Sequence, residues 1–227
     1  MKKQAKKGKF IVFEGIDGSG KSTQTKLLVN RLKKEGYKTK SLDFPQYREK
    51  SAGLVEEYLA GKYGLASDVD PYTASVFYAV DRYDVSFKLR MWLENGNIVV
   101  ADRYVGSNMG HQGGKIESET ERMKFFLWLH DLEYRIFNIP KADKTFLLKI
   151  SATVAQKLCE NPIRRKTKKR DIHEKDLTHL KDTEKAYSHM VRIFPHDFTQ
   201  IEIVDDNDLL LPEEIHQQIW RKVQRLL

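Results

Sequence analysis

The chain has 227 residues, 40% hydrophobic and 32% charged, with a formal net charge of +8 and one cysteine, Cys159. This excludes an internal disulfide, and no apolar run approaches the length of a membrane span. The basic start, Met1 to Lys9, lacks the apolar core of a signal peptide, so a reducing cytoplasm is the expected compartment.

The length fits one domain over residues 1–227, or one domain with a mobile insertion. The positive charge has two readings: contact with nucleic acid, or handling of small polyanions beneath a solvated lysine-rich surface. Part of it lies in Lys2, Lys3, Lys6, Lys7 and Lys9, which reads as a disordered, solvating arm over about residues 1–8.

In chain order, Phe10–Phe13 is the first apolar run and reads as a buried strand. Gly15-Ile16-Asp17-Gly18-Ser19-Gly20-Lys21-Ser22 follows and fits G-x-x-x-x-G-K-[ST], the phosphate-binding P-loop. A helix from Thr23 to Lys34 comes next, with Leu27, Leu28, Arg31 and Leu32 at helical spacing. Strand, glycine loop and helix form the setting the motif needs. Gly15, Gly18 and Gly20 let backbone N–H groups turn inward around an anion, and those of Ser19 to Thr23 lie at the helix N-terminus. Lys21 reaches β- and γ-phosphates, and the Ser22 hydroxyl is a ligand for Mg²⁺. The ammonium of Lys21 is expected to face solvent until a phosphate arrives. The loop therefore predicts a nucleoside triphosphate.

Further strands are expected at Lys38–Phe44, Asn97–Asp102, Thr145–Ile150 and Gln200–Val204. Helices are expected at Ala74–Asn95 and Ser118–Asn138. The latter has Met123, Phe126, Leu127 and His130 along one side. Leu177, Leu180, Tyr187, Val191 and Phe194 mark another helix, and Pro212 opens a last one carrying Ile215, Ile219, Val223 and Leu226. Alternating elements predict an α/β fold: a five-stranded parallel sheet with helices on both faces. Ligands in such sheets bind at the carboxyl ends of the strands, where Asp17, Phe44, Asp102 and Ser151 would meet. Asp102 ends the third strand, placed to hold Mg²⁺ or its water shell, and Arg103 beside it suits a phosphate clamp. The competing reading is a surface ion pair between the two.

These pieces resemble the thymidylate (dTMP) kinase family over most of the chain, from Lys9 to about Tyr187. They are Phe13 to Gln24, then Phe44-Pro45-Gln46-Tyr47, Tyr78-Ala79-Val80-Asp81-Arg82, Asp102-Arg103-Tyr104-Val105-Gly106-Ser107-Asn108, and the basic stretch before Asp171-Ile172-His173-Glu174. The resemblance implies a three-layer P-loop kinase. It would pass the ATP γ-phosphoryl group to dTMP with Mg²⁺, act as a homodimer, and need neither membrane nor nucleic acid. It implies that Asp17 accepts from the acceptor 3′-hydroxyl and that Phe44 and Tyr47 belong to the acceptor site. It further implies that Tyr78 stacks on thymine, that Arg82 donates to its O4, and that Ser107 and Asn108 line the base. Asp81 is a candidate tether for Arg82. His111 stands where many members carry a tyrosine crowding the sugar 2′ position, which leaves deoxyribose selection open.

Arg164, Arg165 and Arg170 lie in a basic run that reads either as a nucleic-acid patch or as part of a small lid over about residues 160–172. With Gly18 leaving the P-loop without an arginine, the lid reading assigns them to the transferring phosphoryl. Two rivals remain: a kinase for another acceptor, either a different monophosphate or a deoxynucleoside, the latter needing a carboxylate base for which Glu14 is the candidate, and an ATP-dependent nucleic-acid-binding protein.

Overall fold

The computed structural model describes residues 7–160, 177–205 and 208–227. Five strands form one parallel sheet: β1 (Lys9–Glu14), β2 (Thr39–Asp43), β3 (Ile98–Asp102), β4 (Lys144–Lys149) and β5 (Phe198–Glu202), in the order β2-β3-β1-β4-β5. The expected strands are all present, with ends moved by one or two residues. The central position of β1 explains its unbroken apolar run: Phe10, Ile11, Val12 and Phe13 are each at most 1% exposed, covered on both faces.

Helices α1 (Lys21–Lys34), α2 (Gly53–Leu59), α3 (Pro71–Glu94), α4 (Val105–Gly113), α5 (Glu119–His130), α6 (Ala152–Glu160), α7 (Leu177–Ile193) and α8 (Pro212–Gln224) flank the sheet. α1 and α8 pack together, burying Leu28 and Leu32 with Ile215, Ile219 and Val223. α3 begins before the expected Ala74. Asp70 accepts from the N–H groups of Tyr72 and Thr73, and Pro71 fills the first helical position.

The expected single helix over 118–138 is two pieces. Ser118 caps α5, and Asp131–Ile136 continues it as a π-helical stretch. The inward side also differs from the expected one. α5 buries Arg122, Phe125, Phe126 and Leu129, whereas Met123 and Leu127 face outward. Helices α2 and α4 were not anticipated. The α4 sequence, with Gly106, Gly110 and Gly113, has weak intrinsic helix propensity and is fixed by packing instead.

Gly110 shows how tight that packing is. A Cβ there would sit 2.6 Å from Cε2 of Tyr187 on α7. In an open helix, Gly→Ala gains roughly 0.5–1 kcal/mol. Here the overpacking cost of about 1–3 kcal/mol should win. Gly110→Ala is therefore expected to lower the denaturation midpoint; a raised midpoint would show that α4 and α7 are not in contact at this point.

Candidate active site

The loop between β1 and α1 forms the first half of the site. Gly15 has φ +142°, and a Cβ on it would lie 2.7 Å from both the Leu148 carbonyl oxygen and Ser19 Oγ. Gly20 enters α1 at φ +88°, a left-handed conformation that favours glycine. Lys21 does not face solvent, contrary to the expectation above. It is 6% exposed, and its Nζ donates to the carbonyl oxygens of Gly15 and Ile16, each at 2.9 Å. Loop carbonyls compete with water for the ammonium and draw it inward. Burial and the adjacent Arg103 lower its pKa to about 8, against the opposing attraction of Asp17.

β1 ends in a buried carboxylate. Glu14 is fully buried and accepts from Tyr104 N (2.8 Å), Ser107 Oγ (2.6 Å) and Tyr187 Oη (3.1 Å). Burial raises its pKa, with Ser107 and Arg103 opposing. Its carboxylate is engaged by three donors of the chain itself, which argues against a role as catalytic base and so against the nucleoside-kinase rival.

Parallel pairing brings the strand ends together. Phe44 N donates to the Asp102 carbonyl oxygen (3.0 Å), and Arg103 N donates to that of Phe13 (2.9 Å). Ser151 follows β4 and leads into α6, its hydroxyl accepting from Val154 N. Arg103 adopts φ +70°, a sparsely populated region for a side chain of its size, of the kind concentrated at functional sites. Its guanidinium pairs with Asp17, not with its neighbour Asp102. Burial opposes the charge on Asp17, yet Arg103 and Lys21 hold its carboxyl well below the usual range. Asp102 Oδ1 is buried with no hydrogen-bond partner among the described residues.

Beside the loop lies a cavity of about 160 Å³. The P-loop contributes Asp17, the β2–α2 connection Phe44 and Tyr47, and α3 Tyr78 and Arg82. Arg103 comes from the end of β3, and α4 supplies Ser107, Asn108 and His111. All nine acceptor-site residues expected from the sequence thus line one space. Phe44 is buried and tilted against Tyr104, and Tyr78 meets Tyr58 edge-on. Asn108 donates through Nδ2 to the Ser75 carbonyl oxygen, leaving Oδ1 buried without a partner among the described residues. His111 contacts Arg103 (3.1 Å) and stacks on His179 of α7.

Several details were not expected. Asp81 does not tether Arg82; it accepts from Gln46 N and Ser51 Oγ, each at 2.8 Å, pinning the Phe44–Tyr47 segment to α3. Arg82 forms a buried bidentate pair with Glu133. Gln112 also lines the cavity, 1% exposed, with Oε1 lacking a partner among the described residues. It follows Asn108 by one helical turn, a signal readable once α4 is known to be a helix. Arg164, Arg165 and Arg170 lie outside the described residues.

A glycine loop opening a helix at the head of a five-strand parallel sheet, with a second cavity at its side, defines a P-loop α/β nucleotide-binding protein. The family model described as thymidylate kinase matches residues 13–219. Among relatives, thymidylate kinase of Caldanaerobacter subterraneus subsp. tengcongensis is 33% identical over 224 residues, 97% of each chain. That of Plasmodium falciparum is 29% identical over 221 residues, 97% of this chain and 92% of the relative. The solved thymidylate kinase of Candida albicans shares the fold, with a TM-score of 0.73 at 19% identity, covering 96% of this chain and 92% of that one. The chain belongs to the thymidylate kinase family.

A triphosphate bound at Lys21 would exchange the two carbonyl dipoles for full negative charge, which would favour the ammonium and raise its pKa. By linkage, affinity is complete where Lys21 is already protonated and falls as pH rises through about 8. ATP titrations from about pH 7 to about pH 9.5 should show that decline, and Lys21→Met should lose it. An affinity flat across this range would contradict the buried geometry of Lys21.

Proposed function

We propose that this chain transfers the γ-phosphoryl group of ATP to the 5′-phosphate of dTMP, giving dTDP and ADP for dTTP synthesis in the cytoplasm. The observation that carries the reading is the cavity wall beside the P-loop. There Asn108 Oδ1 is a fixed acceptor for a ring N–H, Arg82 is a donor for a ring carbonyl, and Tyr78 is an aromatic face. That set suits the N3–H and O4 of thymine and opposes cytosine, which offers an acceptor and an amino group instead.

The residues present also fit a magnesium ion. Asp102 Oδ1, buried and unpaired among the described residues, seeks a cation or donor, and Ser22 is the second residue of α1, directly after the loop. These two would hold it, and bound Mg²⁺ would neutralise phosphate oxygens of ATP. Lys21 turns from loop carbonyls to the phosphates. Arg103 holds the acceptor phosphate, and Asp17 holds the 3′-hydroxyl. The acceptor phosphate is itself the nucleophile, so no general base is needed; positioning and charge stabilisation supply the rate.

A coupled ADP-release assay over dTMP, dCMP, dAMP, dGMP and UMP tests the reading. The expected kcat/KM for dTMP exceeds that for dCMP by at least roughly tenfold. Equal rates for all acceptors, or ATP turnover that requires DNA or RNA, would refute it.

We further propose a homodimer packed through α3. Val76, Val80, Tyr83, Phe87 and Met91 form an apolar row along that helix, each at least 38% exposed, with Leu127 of α5 also exposed. Rows of this kind mark interfaces. Phe87→Glu should convert the protein to monomer in sedimentation velocity; a wild-type chain that already sediments as monomer at micromolar concentration would remove the proposal.

A further inference from the structure

Arg82 carries a partner that the acceptor site itself does not explain. Its Nε and Nη2 donate to Glu133 Oε2 and Oε1, at 2.7 and 2.5 Å, and the two side chains are 2% and 0% exposed. Glu133 comes from 51 residues away, in the π-helical stretch that follows α5. It continues the inward row of Phe125, Phe126 and Leu129 with a charge where an apolar side chain would be expected. The π-helical stretch adds a residue to the turn and thereby changes which face later side chains occupy, a device frequent at functional sites.

Stability does not account for the pair. A buried ion pair roughly offsets its own desolvation, and a hydrophobic pair of similar volume would often serve the fold as well. Geometry offers a better account. Side-on pairing occupies one edge of the guanidinium and fixes its plane. The Nη1 group, uncommitted among the described residues, is left as donor where Arg82 lines the acceptor cavity. Neutralisation matters equally. An uncompensated guanidinium beside the base would attract the acceptor phosphate and favour reversed binding.

We propose that Glu133 is a specificity-positioning residue. It clamps Arg82 so that Nη1 is presented to the 4-carbonyl of a pyrimidine monophosphate, and it cancels the charge that would recruit the phosphate to the base side. The proposal rests on the reading that Arg82 donates to the base, and the test separates the two.

Glu133→Gln keeps the shape but removes the charge and replaces one acceptor oxygen by an amide donor. It is expected to raise the dTMP KM about tenfold and to lower the dTMP/dCMP ratio of kcat/KM about tenfold, with the ATP KM unchanged. Glu133→Asp, which keeps the charge one methylene further back, should lose less selectivity. A purely structural role predicts a lower melting temperature with the ratio unchanged, and that result in folded Glu133→Gln overturns the proposal. If Glu133→Gln does not fold, Glu133→Asp decides by the same ratio, and failure of both to fold overturns it as well. Arg82→Ala is the control. If it leaves the ratio unchanged, base reading by Arg82 is wrong. If it narrows the ratio while Glu133→Gln does not, only the role of Glu133 falls.

Discussion

The carboxylate of Glu14 is the constraint on which the site is built. It ends the central strand, immediately before the phosphate loop, and it takes donors from three directions: the β3–α4 junction, the first turn of α4, and α7. A buried carboxylate is tolerable only when its lone pairs are met, so these partners must arrive together or the fold fails. Two consequences follow for function. Tyr104 N is fixed, and with it the left-handed Arg103 one residue earlier. The start of α4 is fixed too, and with it Asn108, His111 and Gln112 along the cavity wall. Gly106 allows this closeness, since a Cβ there would lie 3.0 Å from Glu14 Cδ. One buried charge thus sets the distance between phosphate loop and acceptor cavity.

Around that anchor the three cations that matter most to the proposed reaction each have a protein oxygen partner: Lys21 on two loop carbonyls, Arg103 on Asp17, and Arg82 on Glu133. The partners differ in strength, and the difference orders their behaviour. Carbonyl dipoles are weak competitors, so Lys21 yields readily to phosphate. Asp17 is a full charge, but a part-exposed one, and under the proposed function a sugar hydroxyl would be its alternative partner. Acceptor binding can therefore split that pair without stranding either group. The Arg82–Glu133 pair has no exposed edge and no such exchange. It behaves as fixed architecture, as a base-reading donor should.

The sheet was legible because a buried central strand and a phosphate loop each leave local signatures: four apolar residues in a row, then a spacing of glycines, lysine and serine. The nine cavity residues were legible only in company, through the order of short motifs shared with a family; singly, an aromatic pair or an arginine on a helix specifies nothing. What stayed hidden was long-range. Glu133 lies 51 residues from Arg82, and Tyr187 lies 173 from Glu14. No periodicity links such partners. α4 stayed hidden for a related reason: its glycines lower helix propensity, and the contacts that hold it come from α3, α5 and α7. The burial of Lys21 could not be read either, because its partners are main-chain carbonyls, which every sequence supplies.

The unpaired oxygens of Asn108 and Gln112 bear on why such a cavity selects by exclusion. Each buried acceptor left without a donor costs the protein about 1–3 kcal/mol, and in the folded chain that cost is already incurred. A ligand that donates to them recovers it; a ligand of the same shape that presents a lone pair does not, and adds repulsion. A hydrophobic slot cannot discriminate in this way, since a change of one polar group alters its fit little. The tether from Asn108 Nδ2 to the Ser75 carbonyl sharpens the effect, because it prevents the amide from turning to offer its donor instead. Clamped on one side by Glu133 and on the other by Ser75, the donor of Arg82 and the acceptor of Asn108 hold opposite polarities that cannot be swapped. Under the proposed function, that fixed order along the wall is what would let a cavity of modest size read one pyrimidine edge.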